Sequence, residues 1–262
     1  MSIKPPEVAG AFYPASPQML SKMLQRFLAD ESKPLPGRLR GLVAPHAGYI
    51  YSGPVAGRAF SQLKRLDQNK HWRVILVGPS HRAGFRGASV ATDQAWQTPL
   101  GDAQIDGMID NLLCDQIVKY PEAFFHEHCL EVEVPFLQAT LQQFSFVPIL
   151  TGNIEPEELA SALEHCIAED CIIVASTDLS HFHTDEQAKQ IDAVSNEAIP
   201  ALDIERFADY GEACGKTGVL ALMHLARRRR WQGHFLDYQT SGDTAGDRIQ
   251  VVGYGAYAFT AE

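Results

Sequence analysis

Three apolar runs in this chain stop in the same way. Leu42-Val43-Ala44 runs into Pro45 and His46, VILVGPSH runs from Val74 into His81, and CIIVASTDLSH runs from Cys171 into Asp178 and His181. Runs this apolar suit strands buried on both faces. Pro45 cannot donate to a ladder, so the first strand ends there. Each run therefore delivers a histidine within a few residues of a strand's carboxyl end, where open α/β sheets keep their ligand crevices. A lone histidine in such a place is ordinarily a hydrogen-bonded loop or core residue. Three at corresponding ends argue for one shared site.

The rest of the chain alternates between helix and strand signals. Residues 1–16 carry Pro5, Pro6, Gly10 and Pro14 around Phe12-Tyr13 and read as an extended, anchored segment. Ser16 caps a helix running through about Leu28, with Pro17 at its first position. ESKPLPGR reads as a loop, Leu39–Ala44 as the first core strand, and Pro54–Leu66 as a helix. Val74–Val77 is the second strand. A glycine-rich loop, SHRAGFRG, leads to a short strand at Ala88–Thr92, a loop at Trp96–Asp102 and a helix at Ile105–Cys114. Helical spacing of Leu130, Val134, Leu137 and Leu141 predicts a helix from about Cys129 to Gln143, kinked at Pro135. Then come a strand at Ser145–Leu150, a helix at Glu155–Ala168, the strand Cys171–Ala175, and helices at Thr184–Ile199, Asp203–Tyr210 and Lys216–Arg229. His234–Gln239 and Ile249–Phe259 frame the loop TSGDTAGD as closing strands that can pair antiparallel. This alternation predicts a three-layer α/β/α sandwich with a mixed, mostly parallel central sheet. No repeat or linker interrupts it, so residues 1–262 are expected to form a single domain.

Charge narrows the partners. The 32 acidic residues outnumber 22 basic ones, for a net charge of −10, which disfavours nucleic acid and anionic membrane surfaces. The first residues have no apolar leader segment, and no apolar run is long enough to span a bilayer. The five cysteines (Cys114, Cys129, Cys166, Cys171, Cys214) form no CxxC pair. Free thiols in a reducing cytoplasm are expected.

The residues that can carry chemistry are His46, His81, His181, Asp178 and Asp243, with His126, His128, Glu131 and Glu133 as a second group. Two neutral imidazoles and one carboxylate make the facial site of non-haem Fe(II) oxygenases. The same set also suits catalytic zinc. Asp178 precedes His181 by three residues, so it can cap the next turn or orient that imidazole, leaving His181 for general acid/base work. His183 is expected to face out. In HEHCLEVE the glutamates suit a first helical turn, so His128 reads as a pocket wall or substrate-orienting group rather than a ligand. Asp243 and Asp247 sit in a glycine-spaced loop that would ordinarily be a turn with Asx bonds. That loop is still the best source of a carboxylate for His46 and His81. GEACGKT is not a phosphate loop: three residues separate Gly211 from Gly215 where four are needed. Arg227–Arg230 reads as a solvated cap at a helix carboxyl end.

Taken together, VAGAFYP (Val8–Pro14), APHAGYIYSG (Ala44–Gly53), VGPSH (Val77–His81), EHCLEVEVPFLQ (Glu127–Gln138), STDLSH (Ser176–His181) and SGDTAGD (Ser241–Asp247) resemble the MEMO family, in family order across nearly the whole chain. The resemblance implies a fold similar to that of the class III extradiol (LigB-like) ring-cleaving dioxygenases. It implies His46 and His81 as metal imidazoles and His181 as the acid/base histidine. The third ligand, a glutamate in the dioxygenases and a cysteine in animal MEMO proteins, would fall at Asp243, with Asp247 as the alternative. Fe(II) is then the expected metal, with Zn(II) or copper as alternatives. The catalytic group would be His181, Asp178 and His128. By the same resemblance, partners are a small, aromatic substrate or a peptide or protein, including AMMECR-type and radical-SAM proteins.

Three functions follow. The first is a metal-dependent oxidoreductase on His46, His81 and Asp243. The second is a binding or adaptor protein on the same scaffold. The third is a zinc hydrolase, in which zinc-bound water and His181 cleave an amide or ester.

Overall fold

The computed structural model describes residues 2–29 and 34–262. Its strands are β1 (Ile3–Lys4), β2 (Arg38–Ala44), β3 (Trp72–Pro79), β4 (Ala88–Val90), β5 (Ala95–Thr98), β6 (Gly101–Gln104), β7 (Ile117–Lys119), β8 (Phe144–Thr151), β9 (Cys171–Ser176), β10 (His181–His183), β11 (Gln232–Thr240) and β12 (Val251–Ala261). Its α-helices are α1 (Pro17–Phe27), α2 (Tyr49–Ser61), α3 (Val134–Thr140), α4 (Pro156–Glu164), α5 (Asp185–Ala201), α6 (Ile204–Tyr210), α7 (Lys216–Arg228) and α8 (Ser241–Thr244).

The architecture is a mixed α/β fold with a central sheet flanked by helices. The sheet runs β10-β12-β2-β9-β3-β8-β4-β7, and β11 also pairs with β12. Its middle, β2-β9-β3-β8, is parallel throughout. Antiparallel pairs flank this block, with β12 on β2 and β11 on one side and β4 on β8 on the other. Parallel pairing is therefore confined to the centre and the β4–β7 edge, less than the mostly parallel sheet expected. A smaller sheet, β1-β5-β6, holds the N-terminal segment.

The central strands are apolar because both faces are covered. Leu42, Ala44, Val74 and Leu76 pack with Leu24, Phe60 and Phe136 from α1, α2 and α3. Their neighbours Val43, Ile75 and Val77 point the other way, toward Leu159, Val219 and Leu222 from α4 and α7. This is the period-two alternation of a strand.

Parallel direction is what positions the site. β2, β3 and β9 end together, with Ala44 opposite Ser176 and Val77 opposite Ala175. His46, His81 and Asp178 each lie two residues past the last residue of their strand.

Several local expectations shift. The loop read at ESKPLPGR lies in part, at 31–33, outside the described residues. α2 starts at Tyr49, directly after the His46 turn, rather than at Pro54. Pro54 leaves the Ile50 carbonyl without its helical partner, but Ile50 is 62% exposed, where water can take that bond. The stretch Trp96–Asp102 is a hairpin, not a loop. β5 and β6 pair with Thr98 opposite Gly101, and Gly101 adopts a φ of 117° that other residues rarely do. The helix expected over Cys129–Gln143 is a 3-10 turn at Glu131–Glu133 followed by α3, so Pro135 sits in a first turn and kinks nothing. The expected helix at Ile105–Cys114 shrinks to a 3-10 turn at Gly107–Leu112. Part of the TSGDTAGD loop is the short helix α8.

α1 and α2 meet through glycine. A Cβ on Gly57 would land on the Phe27 carbonyl oxygen, and one on Gly53 on the Phe27 ring. Alanine in a helix gains about 1 kcal/mol over glycine, whereas overpacking costs about 1–3 kcal/mol. Gly57→Ala is therefore expected to lower the urea midpoint, because a backbone carbonyl cannot swing aside. A raised midpoint would mean that α1 yields freely.

Candidate metal centre

His46, His81 and His128 converge. One ring nitrogen from each lies within 4.8 Å of the others, and the ring centroids are 5.0–5.5 Å apart. The partners of the rings decide which nitrogen faces inward, and the proton count at Ser176 settles it for His46. Ser176 Oγ has three neighbours at 2.8 Å: His46 Nδ1, the Cys129 carbonyl and Glu133 Oε1. A hydroxyl has one hydrogen, and a carbonyl can only accept. The Ser176 hydrogen therefore goes to Cys129, and the other two neighbours bring their own. His46 carries its proton on Nδ1, and Glu133 is a neutral acid. Burial accordingly pushes the Glu133 carboxyl well above its ordinary value, against the opposing bond with Ser176.

His81 Nδ1 lies 3.0 Å from Glu127 Oε1, and His128 Nδ1 lies 3.3 Å from the same oxygen. Three backbone N–H groups also donate to this carboxylate: His81 to Oε2 at 2.6 Å, and His128 and Cys129 to Oε1 at 2.9 and 3.1 Å. Burial works against the charge, but the bonds from the His81 ring and from the Cys129 and His81 backbones pull the carboxyl down to about 2. An ionised Glu127 accepts from Nδ1–H, so it leaves Nε2 of His81 as the ring's lone-pair atom. Burial keeps His46 uncharged, with help from the neighbouring His81 and His128. Burial also pushes His128 down to about 4, against the attraction of Glu127.

His181 completes the pattern. Its Nδ1 donates to the Leu179 carbonyl at 2.8 Å, leaving Nε2 free to take a proton. Asp178 does not orient this ring, as the sequence suggested. Its Oδ1 instead accepts the backbone N–H of His46 at 2.8 Å and of Ala47 at 3.3 Å. Burial raises Asp178 to about 7, opposed by those two bonds.

Asp243, the expected carboxylate ligand, is engaged in hydrogen bonds and ion pairs at the start of α8. Asp243 Oδ2 accepts the Thr240 N–H that opens α8, and Oδ1 takes Lys189 at 3.2 Å and Arg248 at 3.0 Å. Among the described residues it joins neither of the two groups able to grip one ion, which are His46, His81, His128 and His81, Glu127, Cys129. The residue that converges with His46 and His81 is His128, from the segment read as a pocket wall. Asp247 caps its own turn through the Ile249 N–H at 2.8 Å. His126 is 89% exposed on its side chain and faces Glu7. Glu131 ties down the N-terminal segment, accepting from the Glu7 and Val8 N–H groups and the Tyr13 hydroxyl. His183 pairs with Glu212 at 3.2 Å, and Arg227, Arg228 and Arg229 pair with Glu205, Glu157 and Glu164.

Two residues escaped the sequence reading. Glu127 was visible between two histidines but was assigned to a helical turn. Cys214 lay inside GEACGKT, which was weighed only as a phosphate loop. Its Sγ sits 3.2 Å from His46 Nε2, on the face where the imidazoles converge. Burial and nearby Asp178 push its thiol up to about 12, so without a cation the S–H donates to His46.

A cleft of about 480 Å³ opens beside the group, lined by Phe12, Tyr51, Tyr254, His128, Asp178 and Asp247 among others. Phe12 packs on His128 with centroids 4.6 Å apart.

Fold and site together define a mixed α/β protein with an imidazole cluster at the carboxyl ends of parallel strands. The chain belongs to the MEMO family: a family profile described as "Memo-like protein" matches residues 4–258. A MEMO1 family protein of Archaeoglobus fulgidus is 33% identical over 270 residues, covering 97% of this chain and 98% of the relative. One of Methanopyrus kandleri is 35% identical, covering 97% and 98%. One of Thermoplasma acidophilum is 35% identical, covering 96% of each. No helix among the described residues is long and apolar enough to cross a membrane.

Glu127 makes a pH-dependent contribution. Its pKa falls from 4.5 to about 2, so the folded state favours the ionised form. The resulting stability, about 3 kcal/mol by linkage, is fully present above the unfolded value and is lost as pH falls toward the folded one. Urea unfolding followed from neutral to acid pH is expected to show a flatter acid limb in Glu127→Gln than in the native chain. Parallel limbs would contradict this role.

Proposed function

We propose that this chain is a metal-dependent oxidoreductase of the extradiol-dioxygenase kind, with His46, His81 and His128 as the metal-holding imidazoles, Cys214 beside them, and a hydroxylated aromatic as substrate. The observation that carries this is the convergence of the rings: one nitrogen from each lies within 4.8 Å of the others, and His46 and His81 commit Nδ1 to Ser176 and Glu127, which leaves their Nε2 for a metal. Neutral imidazoles with oriented second nitrogens are what a transition metal needs. Imidazole suits iron, zinc and copper alike, so Fe(II) rests on the family resemblance.

When bound, such a metal supplies a Lewis-acidic, redox-capable centre. The chain's own groups do the rest. His181 accepts or returns a proton at Nε2. Asp178, near neutrality, works in either protonation state, the condition that favours general acid/base transfer. Phe12 and the His128 ring wall the cleft and limit water.

A second reading is a zinc hydrolase, favoured by the three-imidazole group itself, since catalytic zinc also takes three histidines with one open position.

Anaerobic titration with Fe(II) or Zn(II) alone tests the site. The native chain is expected to bind one equivalent, and His46→Ala with His81→Ala to bind none. Asp243→Asn should stay within about twofold, as for a surface change away from the site. Once O₂ is admitted to the Fe(II)-loaded preparations, His181→Gln should retain metal but lose about 10²–10⁴-fold in turnover of a catechol. Binding that survives the double alanine variant, or vanishes in Asp243→Asn, would overturn the assignment. Cleavage of an amide or ester by the zinc-loaded chain, with no catechol turnover by the iron-loaded chain, would favour the hydrolase.

A further inference from the structure

We infer that the cleft beside the imidazoles selects aromatic ligands that carry a positive charge, such as hydroxylated aromatic amines, over ligands that carry a carboxylate. The inference deepens the function proposed above and rests on it for the hydroxylated ring, while the charge preference stands on the cleft alone.

Three features carry it. The first is the lining, in which Phe12, Tyr51 and Tyr254 offer aromatic faces beside His128. A ring can stack there, and an ammonium is drawn to such faces. The second is charge. The lining includes the two acids Asp178 and Asp247 and no lysine or arginine. Two basic residues near this rim are already engaged: Arg248 holds Asp185 at 2.6 Å and Asp243 at 3.0 Å, and Lys189 holds the same two acids at 2.9 and 3.2 Å. Arg82 acts on His128 from outside the cleft and does not line it. A carboxylate ligand would find no lysine or arginine in the lining and the Asp247 carboxylate against it, joined by Asp178 when that group is ionised, in a chain of net charge −10. The third is an oxygen to spare. Asp178 is 5% exposed, and both of its backbone donors go to Oδ1. Among the described residues Oδ2 takes no hydrogen bond, and Asp178 lines the cleft, so Oδ2 is the acceptor a ligand's N–H or O–H would meet. Asp247 likewise spends only Oδ1, on the Ile249 N–H.

This separates the chain from a site built for acidic catechols, which needs a lysine or arginine at the far end of the ring. It also gives the two acids different tasks. Asp178 meets the end of the ligand nearest the imidazoles, and Asp247 at the rim meets the charged tail.

The test uses a matched pair, dopamine and 3,4-dihydroxyphenylacetate, which share ring and hydroxyls and differ in the charge of the tail. Dissociation constants are read by ligand-observed NMR on the full chain, first without metal and then with Zn(II), with catechol as the uncharged reference. The amine is expected to bind at least about tenfold more tightly than the acid in both states, in line with a desolvated cation–π contact and one ion pair. Asp247→Asn should shrink that ratio by about threefold or more with the catechol reference unchanged. Equal or tighter binding of the acid would overturn the inference, as would no binding of the amine at millimolar concentration, or a ratio unmoved in Asp247→Asn. Failure of the metal reading appears separately, as the absence of any zinc uptake, and leaves the amine-to-acid ratio measurable.

Discussion

The Glu127 carboxylate is the interaction on which the site depends. It is buried, ionised, and takes four N–H groups: the backbones of His81, His128 and Cys129 and the ring of His81. A charge in a protein interior survives only when it is so bonded. In return it fixes the turn after β3 against the turn before α3, two segments about 46 residues apart in the chain. Without it, nothing aligns His81 with His128, and the rings would have no reason to face one space.

Three buried acids surround the imidazoles, and the N–H groups each receives set its charge. Glu127 has four and is held near 2 despite burial. Asp178 has two, from His46 and Ala47, and burial leaves it near 7. Among the described residues Glu133 receives no N–H, and burial drives it well above the ordinary range, so it stays neutral and gives its own proton to Ser176 Oγ. Environments that push like groups apart are how one fold supplies both a permanent anion and a titratable acid. Here the permanent anion orients rings, the intermediate one faces the cleft, and the neutral one fills the shell behind His46.

Much of this was legible in the sequence. The central strands announce themselves because burial on both faces demands unbroken apolar runs, and their shared direction follows from helices between them. His46, His81 and His181 were legible because each follows such a run within a few residues, whereas His128 follows none. The partners of Asp243, Lys189 on α5 and Arg248, were not legible because they come from places that no local pattern joins to it. Cys214 was hidden for the related reason that it enters from the turn before α7 and meets His46 across 168 positions of sequence. The hairpin β5–β6 escaped because its short strands belong to a small outlying sheet and alternate too briefly to signal. The shortening of the helix after Cys129 follows from the bonds of Glu127 and Glu131, which hold the preceding turn out of α-helical form.

The central claim is that one ring nitrogen each from His46, His81 and His128 forms a single cation-gripping face while Nδ1 of His46 and of His81 stays protonated against Ser176 and Glu127. Long-range ¹H–¹⁵N spectra of the histidine-labelled chain, recorded as Zn(II) is added, test it most directly. The account predicts that Nε2 of His46 and of His81 and one ring nitrogen of His128 move together at one equivalent, while Nδ1 of His46 and of His81 keeps its proton signature. Movement at Nδ1 of His46 or His81 instead, or zinc uptake that leaves His128 untouched, would contradict it.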